Sequence, residues 1–565
     1  MGIPFYFSYL IKNHREIISK LQNIDFINNL YLDCNSIIYD SLDFKLFENK
    51  SQFENLIIQS VIQKIENIIN IINPDKNIII AFDGVPPMAK LNQQKNRRYK
   101  SSLQNILFEK NAPWDSCSIT PGTDFMKKLD EDIKFYFNKN KIKNKHKDKH
   151  NINILFYLSD GPGEGEHKIF EYIRNNPHNN ECTLIYGMDA DLIMLSLNHL
   201  KYCNKIYLYR ETPHFISSID NSLDPQEKYL INISKLSIQI YKELVGDIIK
   251  NDIIKNNTPS SSSSSSSSSK ETSNTLDASY NYFSLENFYG KIDDYIFMCF
   301  LLGNDFMPHF PALNIRYNGF NVLLNLYKSD FGVKKQLIKD GRIVWKNFKM
   351  FIEKIANNEE AFLKEIYGIR EKQEKKRYPE SSIDEKEIKY INTPSFERNI
   401  EKFINPFEEE WCFRYYYSLF DQDIDKNVKF IPEVCNNYLQ TLQWTYYYYS
   451  RECINWTHCY NYHYPPLLRD LFKAIPYFDS ELVLKQDKNI IHEYLLLSYV
   501  LPRNSLNLLP QNIHNYLLKN YEDHYKNDYN MIYAFCKYIW EGHVQFPELD
   551  FDKFSKNINK LIVNI

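Results

Sequence analysis

The stretch KNIIIAFDG, residues 76–84, decides how the first half of the chain is read. Its apolar residues run unbroken and stop at an acid followed by glycine. A run of this length without polar alternation suits a strand buried on both faces. Three more runs share the form. NLYLDCNS (29–36) ends at Asp33, NINILFYLSDG (151–161) ends at Asp160, and CTLIYGMDADL (182–192) carries Asp189 and Asp191. Helical patterns lie between them: FENLIIQSVIQKIENIINIIN before Asp83, and DFMKKLDEDIKFYFNK before Asp160. Strand alternating with helix predicts an α/β fold with a mostly parallel central sheet flanked by helices. In such sheets ligands bind beyond the carboxyl ends of the strands, and the acids sit at those ends.

The chain's 565 residues exceed one simple core, so two or more layers or domains are expected. A hydrophobic content of 43% and a charged content of 25% are those of a soluble globular protein. The net charge of −3 excludes a uniformly basic nucleic-acid binder but not a local basic patch. Ten cysteines without a CxxC pair suggest reduced thiols and an intracellular protein, cytoplasmic or alternatively nuclear. Cys453, His458, Cys459 and His463 are grouped, but their spacing fits no standard zinc pattern. No run approaches the ~18–20 apolar residues of a membrane span. The opening MGIPFY has Tyr6 where a myristoylation signal wants Ser or Thr, and no signal peptide is visible. Heavy use of Asn, Ile, Lys and Tyr reads as coding bias.

The organisation expected is an N-terminal domain over 1–353, a charged linker or exposed helices over 354–395, and a mainly helical region over 396–565. The lysine-rich stretch 139–150 reads as a solvated loop. The serine run Ser260–Ser269 marks a disordered insertion over 256–276. Tyrosines 446–449 read as core packing.

Asp33, Asp83, Glu164, Glu166, Asp189, Asp191 and Asp305 are the candidate site acids. Glu164 and Glu166 stand one residue apart among glycines in SDGPGEGEHK, where their mutual repulsion asks for compensation. If the seven converge, they cannot all stay ionised without cations. Oxygen ligands with no nearby Cys or His favour Mg²⁺ or Mn²⁺ over Zn²⁺. Two such ions about 4 Å apart form a clamp for phosphodiester hydrolysis. A single Asp at a strand end is as well explained by helix capping; several at corresponding ends are not.

The segment DGVPPMAKLNQQKNRRYK (83–100) follows one of these acids. Lys90, Gln94, Arg97 and Arg98 fall at i, i+4, i+7 and i+8 and share one helix face. Beside a metal site such a face is an anion pocket, because arginine grips phosphate bidentately. It suits a terminal phosphate better than an internal diester.

These blocks together resemble the XRN family of 5′→3′ exoribonucleases. The similarity rests on MGIPFYF, YLDCNSIIY, FDGVPPMAKLNQQKNRRYK, ITPGTDFM, SDGPGEGEHKI, GMDADLIML, DDYIFMCFLLGNDFMPHFP, LQWTYYYYSRECINWTHCYNYHYPP, LLLSYVLPRNSLNLLP and YIWEGHVQFPELD, collinear over nearly the whole chain. It implies a PIN/flap-nuclease-like domain enclosed by a second conserved region, in a short form without the further C-terminal domains of the long cytoplasmic members. It implies that the seven acids bind two metal ions. It also implies that Lys90, Gln94, Arg97 and Arg98 hold a 5′ phosphate. The implied substrate is single-stranded RNA with a 5′ monophosphate, degraded processively to nucleoside 5′-monophosphates by a monomer, in RNA decay or processing. Two positions depart from the family pattern. Tyr39 stands where a base-stacking histidine is usual, and His458 where a tryptophan is usual. Trp540 is a further candidate to line the channel. Base stacking tolerates a change of ring. The rival expectations are a flap-endonuclease-like 5′ DNA nuclease and a non-catalytic RNA-end-binding scaffold.

Overall fold

The structure, a computed structural model, describes residues 6–110, 112–139, 152–210, 223–224, 227–245, 285–332, 334–486 and 489–563. The lysine-rich stretch from 140 onward, the insertion over 256–276 and the first five residues of MGIPFYF lie outside the described residues.

Seven strands form one sheet: β1 (Ile18–Lys20), β2 (Asn29–Asp33), β3 (Asn77–Ala81), β4 (Asn153–Tyr157), β5 (Cys182–Tyr186), β6 (Lys205–Tyr209) and β7 (Tyr229–Asn232). Their order is β1-β7-β6-β5-β2-β3-β4. Strands β2 to β6 pair in parallel, whereas β7 runs antiparallel to β6 and β1 antiparallel to β7. The four apolar runs are thus β2 to β5. Burial on both faces holds for β2, β3 and β5. It fails for β4, which lies at the sheet edge with its residues half-buried or exposed.

Helices α1 (Tyr6–Asn13), α2 (Asn35–Tyr39), α3 (Lys50–Ile72), α4 (Met88–Leu107), α5 (Asp124–Lys139), α6 (Gly165–Asn175), α7 (Asp191–His199), α8 (Ile233–Val245) and α9 (Leu285–Phe300) surround the sheet. The side-chain alternation of a strand feeds two cores. Leu30, Leu32, Ile78, Ile80 and Leu184 pack with α3 and α5 on one face. Tyr31, Ile79 and Ile185 pack with α6, α7, α8 and α9 on the other. Helix α3 begins at Asn49, whose side chain accepts the Gln52 N–H, and ends at Asn73 with φ 51°; both are ordinary helix-end devices.

Beyond the sheet the chain is mainly helical, with α10 (Trp345–Ala356), α11 (Glu359–Glu374), α12 (Ile383–Ile391), α13 (Phe430–Ser450), α14 (Glu493–Val500) and α15 (Phe551–Ile562). Residues 354–395 are helical for most of their length, holding the end of α10, all of α11 and α12, and most of a short helix, Thr393–Phe396. Leu363, Ile366, Tyr367 and Arg370 of α11 are buried, whereas α12 buries none. The Arg370 guanidinium donates to both oxygens of Glu401, and Arg398 Nε donates to Glu401 Oε2. These buried charges satisfy one another. Tyr446–Tyr449 of α13 are at most 4% exposed and lie in the main core. Helix α14 packs along α4 and ties the helical region to the sheet domain.

Candidate active site

Strands β2 and β5 are neighbours whose chains leave in opposite directions, β2 toward β3 and β5 toward β6. A crevice opens at such a switch point. Asp33 pairs with Ala81 and Leu32 with Tyr186. Asp83 and Asp189, just past their own strands, therefore emerge at the same edge as Asp33.

The turn after β4 packs backbone to backbone against residues 83–85. The Gly84 N–H donates to Gly163 O and the Gly163 N–H to Val85 O, each at 2.9 Å. A Cβ on Gly84 would lie 1.7 Å from Gly161 O, so only glycine permits this approach. The turn delivers Glu164, Gly165 and Glu166 to the crevice. Asp83 Oδ1 accepts the Gly165 N–H at 2.7 Å, at the N-terminus of α6, and its Oδ2 accepts from Asn35 Nδ2. Gly165 leaves room for Asp33, whose Oδ1 would lie 2.9 Å from a Cβ there.

The acids act on one another as a single network. Burial pushes Asp33 well above the usual carboxylate range, and the charges of Asp83 and Asp189 add to it. Burial and then Glu164 push Asp83 up. Burial and then Asp191 do the same to Glu166. Asp191, in the first turn of α7, is pushed up to about 7 by burial and by Asp305. Asp305 is the exception. Burial raises it, but the Lys90 ammonium overrides this and holds it well below the usual range. Asp189 is exposed and forms the outer lip.

Lys90 lies among these acids. Its Nζ is 2.5 Å from Glu164 Oε2 and 2.7 Å from Asp305 Oδ2. Burial alone would lower its pKa, yet Asp305, Glu164 and Glu166 raise it well above the ordinary lysine value. Among the described residues, no three His, Cys, Asp or Glu side chains are drawn together closely enough to hold an ion as they stand; the charge that bridges the acids is this ammonium. Asp33 Oδ1, Glu166 Oε2 and Asp191 Oδ1 are buried without a hydrogen-bond partner among the described residues. Such hard oxygen acceptors are a donor set that fits Mg²⁺ or Mn²⁺.

The remaining candidates spread along α4 and outward. Gln94 is 7% exposed with Oε1 unpartnered, and Arg98 has a buried, unpartnered Nη1. Burial pushes the Arg98 guanidinium down. Arg97 is exposed. Tyr39, at the end of α2, is 46% exposed. His458 is bonded through Nε2 to Thr441 Oγ1 at 2.9 Å, and burial pushes it down to about 4, so its ring is neutral. Trp540 is removed from the acids and stacks on Tyr538 at 4.4 Å.

Sequence reasoning missed the second layer. The Tyr448 hydroxyl donates to Glu164 Oε1 at 3.0 Å, and its ring stacks on His167 at 3.7 Å. Tyr449 lies against Asp191, whose charge adds to burial in keeping the phenol un-ionised. Arg210, the residue after β6, sits over the Phe7 ring at 4.5 Å, with no hydrogen-bond partner for Nε and Nη1 among the described residues, and within the field of Asp189. Two of these were legible only as aromatic residues of a buried helix.

A family model described as the XRN 5'-3' exonuclease N-terminus matches residues 1–212. A second, the Xrn1 helical domain, matches residues 285–402 and 397–564. The 5'-3' exoribonuclease 1 of Homo sapiens is 28% identical over 627 aligned residues, covering 97% of this chain and 33% of that protein. The 5'-3' exoribonuclease 1 of Saccharomyces cerevisiae is 27% identical, covering 90% of this chain and 40% of that protein. The 5'-3' exoribonuclease 2 of Candida glabrata is 30% identical, covering 67% of this chain and 40% of that protein. The chain thus spans 33% to 40% of the length of these relatives.

Proposed function

This chain belongs to the XRN 5'-3' exonuclease family, and from that premise we propose that it is a processive 5′→3′ exoribonuclease. Its substrate is single-stranded RNA bearing a 5′ monophosphate, and its products are nucleoside 5′-monophosphates. The observation that carries this reading is the meeting of carboxylates at the β2/β5 switch point beside the polar face of α4.

The 5′ phosphate docks on Lys90, Gln94, Arg97 and Arg98. Arg98 brings a nitrogen that has no protein partner. Gln94 brings an unpartnered amide end, and a flip of that amide presents its donor. Lys90 exchanges Glu164 and Asp305 for the incoming phosphate and frees carboxylate oxygens as it does so. Asp33, Asp83, Glu164, Glu166, Asp189, Asp191 and Asp305 would hold two divalent cations, Mg²⁺ or Mn²⁺. Such ions, when bound, supply activation of water and neutralisation of the departing oxygen. The Gly165 N–H and Asn35 keep Asp83 aimed, and Tyr448 keeps Glu164 aimed. Tyr39 and the neutral His458 ring stack the terminal base. After each cleavage the shortened RNA carries a new 5′ monophosphate and advances by one nucleotide.

The test compares 5′-monophosphorylated with 5′-triphosphorylated RNA, in Mg²⁺ and in EDTA, resolving the products by length. The expected result is mononucleotides from the monophosphorylated RNA in Mg²⁺ alone. Cleavage of a DNA flap to oligonucleotides would replace this reading with the flap-nuclease one. RNA-end binding without cleavage would replace it with the scaffold one.

A further inference from the structure

A cavity of about 510 Å³ lies along α4, lined there by Lys95, Arg97 and Lys100 but not by Gln94 or Arg98. Its other walls are the loop after α9, residues 459–464 and residues 531–546. Its volume is in the range of a small-molecule site. Asp305 and Trp540 both line it, so the cavity adjoins the acid cluster through Asp305.

Its chemistry is that of a nucleotide seat. Two of its lysines have no carboxylate partner among the described residues. Lys95 is 6% exposed, with its ammonium 4.6 Å from the Tyr499 ring centroid and 4.4 Å from that of Phe546. Lys100 donates to the carbonyl oxygens of Trp540 and Gly542 at 2.6 and 2.7 Å. Burial lowers both to about 8, so near neutral pH both remain mostly protonated, and an anion beside them would stabilise that buried charge. The two carboxylates in the wall are already engaged, Asp305 by Lys90 and Glu541 by Arg316. The charge left over is positive. Trp540, 40% exposed and backed by Tyr538, offers a ring face. His463 and His543 stack at 4.9 Å, and burial pushes both well down, so they face the cavity as neutral hydrogen-bonding rings.

We propose that this cavity receives the released nucleoside 5′-monophosphate, its phosphate on the Lys95/Lys100 side and its base toward Trp540. Product and RNA then part on adjoining faces of one helix, with Arg97 between them. The mononucleotide passes Asp305 into the cavity, while the new RNA 5′ end closes on Gln94 and Arg98. This rests on the activity proposed above.

The test is equilibrium dialysis of AMP against the whole chain in EDTA, where neither cleavage nor cation-bridged binding at the acids takes place. The variants are Lys100→Met, Trp540→Ala and Arg98→Ala, each checked for an unchanged melting transition. Adenosine and a 5′-phosphorylated oligoribonucleotide are the comparison ligands. The expected result is saturable AMP binding that weakens about tenfold in Trp540→Ala, the loss of one stacking contact. Lys100→Met should weaken AMP and leave adenosine unmoved, and Arg98→Ala should weaken the oligoribonucleotide and leave AMP unmoved. Absence of AMP binding at millimolar concentration, or affinity unmoved by both cavity variants, would overturn the proposal. So would AMP binding lost in Arg98→Ala, which would put the nucleotide on the RNA-end face. A chain that binds AMP as expected but cleaves no RNA would fail the proposed activity and keep the site. A chain that cleaves RNA but passes none of the binding criteria would do the reverse.

Discussion

The carboxylate of Asp33 occupies the space that a side chain on Gly165 would need: a Cβ there would come within 2.9 Å of Asp33 Oδ1. The glycine between Glu164 and Glu166 is therefore there for a third acid. Its next contacts, at 3.5 Å, are ordinary ones with Ala81. Only the tip of one carboxylate must move to admit a methyl group. Gly165→Ala should thus lower stability by less than about 1 kcal/mol while displacing Asp33 and reducing nuclease activity at least about tenfold. Urea denaturation beside an RNA-cleavage time course checks both parts.

Tyr448→Phe removes the hydroxyl that serves Glu164 and keeps the ring that packs on Trp444 and His167. A buried acceptor left short of one donor costs about 1–2 kcal/mol. The variant should lose that much stability without losing secondary structure. It should also need more Mg²⁺ for half-maximal cleavage, because Glu164 then leans further on Lys90.

The pH dependence of stability follows from the raised acids. Asp33, Glu166 and Asp191 have folded pKa values above their unfolded ones. The native state therefore holds protons that the unfolded state has already released, and stability falls as pH rises through the interval. In EDTA the melting temperature should drop between about pH 5 and pH 8, and Mg²⁺ should remove part of the drop. Asp294 and Glu359, both near 7 through burial, add a slope that Mg²⁺ leaves in place. The Mg²⁺-dependent part alone reports the cluster.

Lys90→Met takes away the ammonium that bridges Glu164 and Asp305. At pH 8 in EDTA the stability loss should be about 3–5 kcal/mol, as for a broken buried pair. At pH 5, where the neighbouring acids can take up protons, it should be smaller. Thermal melts at the two pH values distinguish this from a simple packing defect, which would cost the same at both.

Much of this site was legible before the fold was known, for a definite reason. A parallel strand covered on both faces must be apolar at every position, so β2, β3 and β5 stand out, and the acids that follow them stand out with them. Strands β1, β6 and β7 did not. Ile18–Lys20 is three half-buried residues carrying a lysine, too short and too polar for a pattern. The spacing of Lys90, Gln94, Arg97 and Arg98 identified a helix face. Spacing does not choose between neighbours at the end of that face, and Lys90 sits on the acids. The C-terminal half of helix α13 is buried on every side, so no periodicity could say which of its five tyrosines reach Glu164 and Asp191. The charged composition of 354–395 suggested solvent, but charges that pair can be buried, as Arg370 is on Glu401.

We propose that these carboxylates take up cations as one unit. Mn²⁺ titration of the whole chain, followed by electron paramagnetic resonance, measures that uptake. The expected result is saturable binding of about two ions per chain, with at least one lost in Asp191→Asn. Uptake that Asp191→Asn leaves unchanged, or none at all, would contradict it.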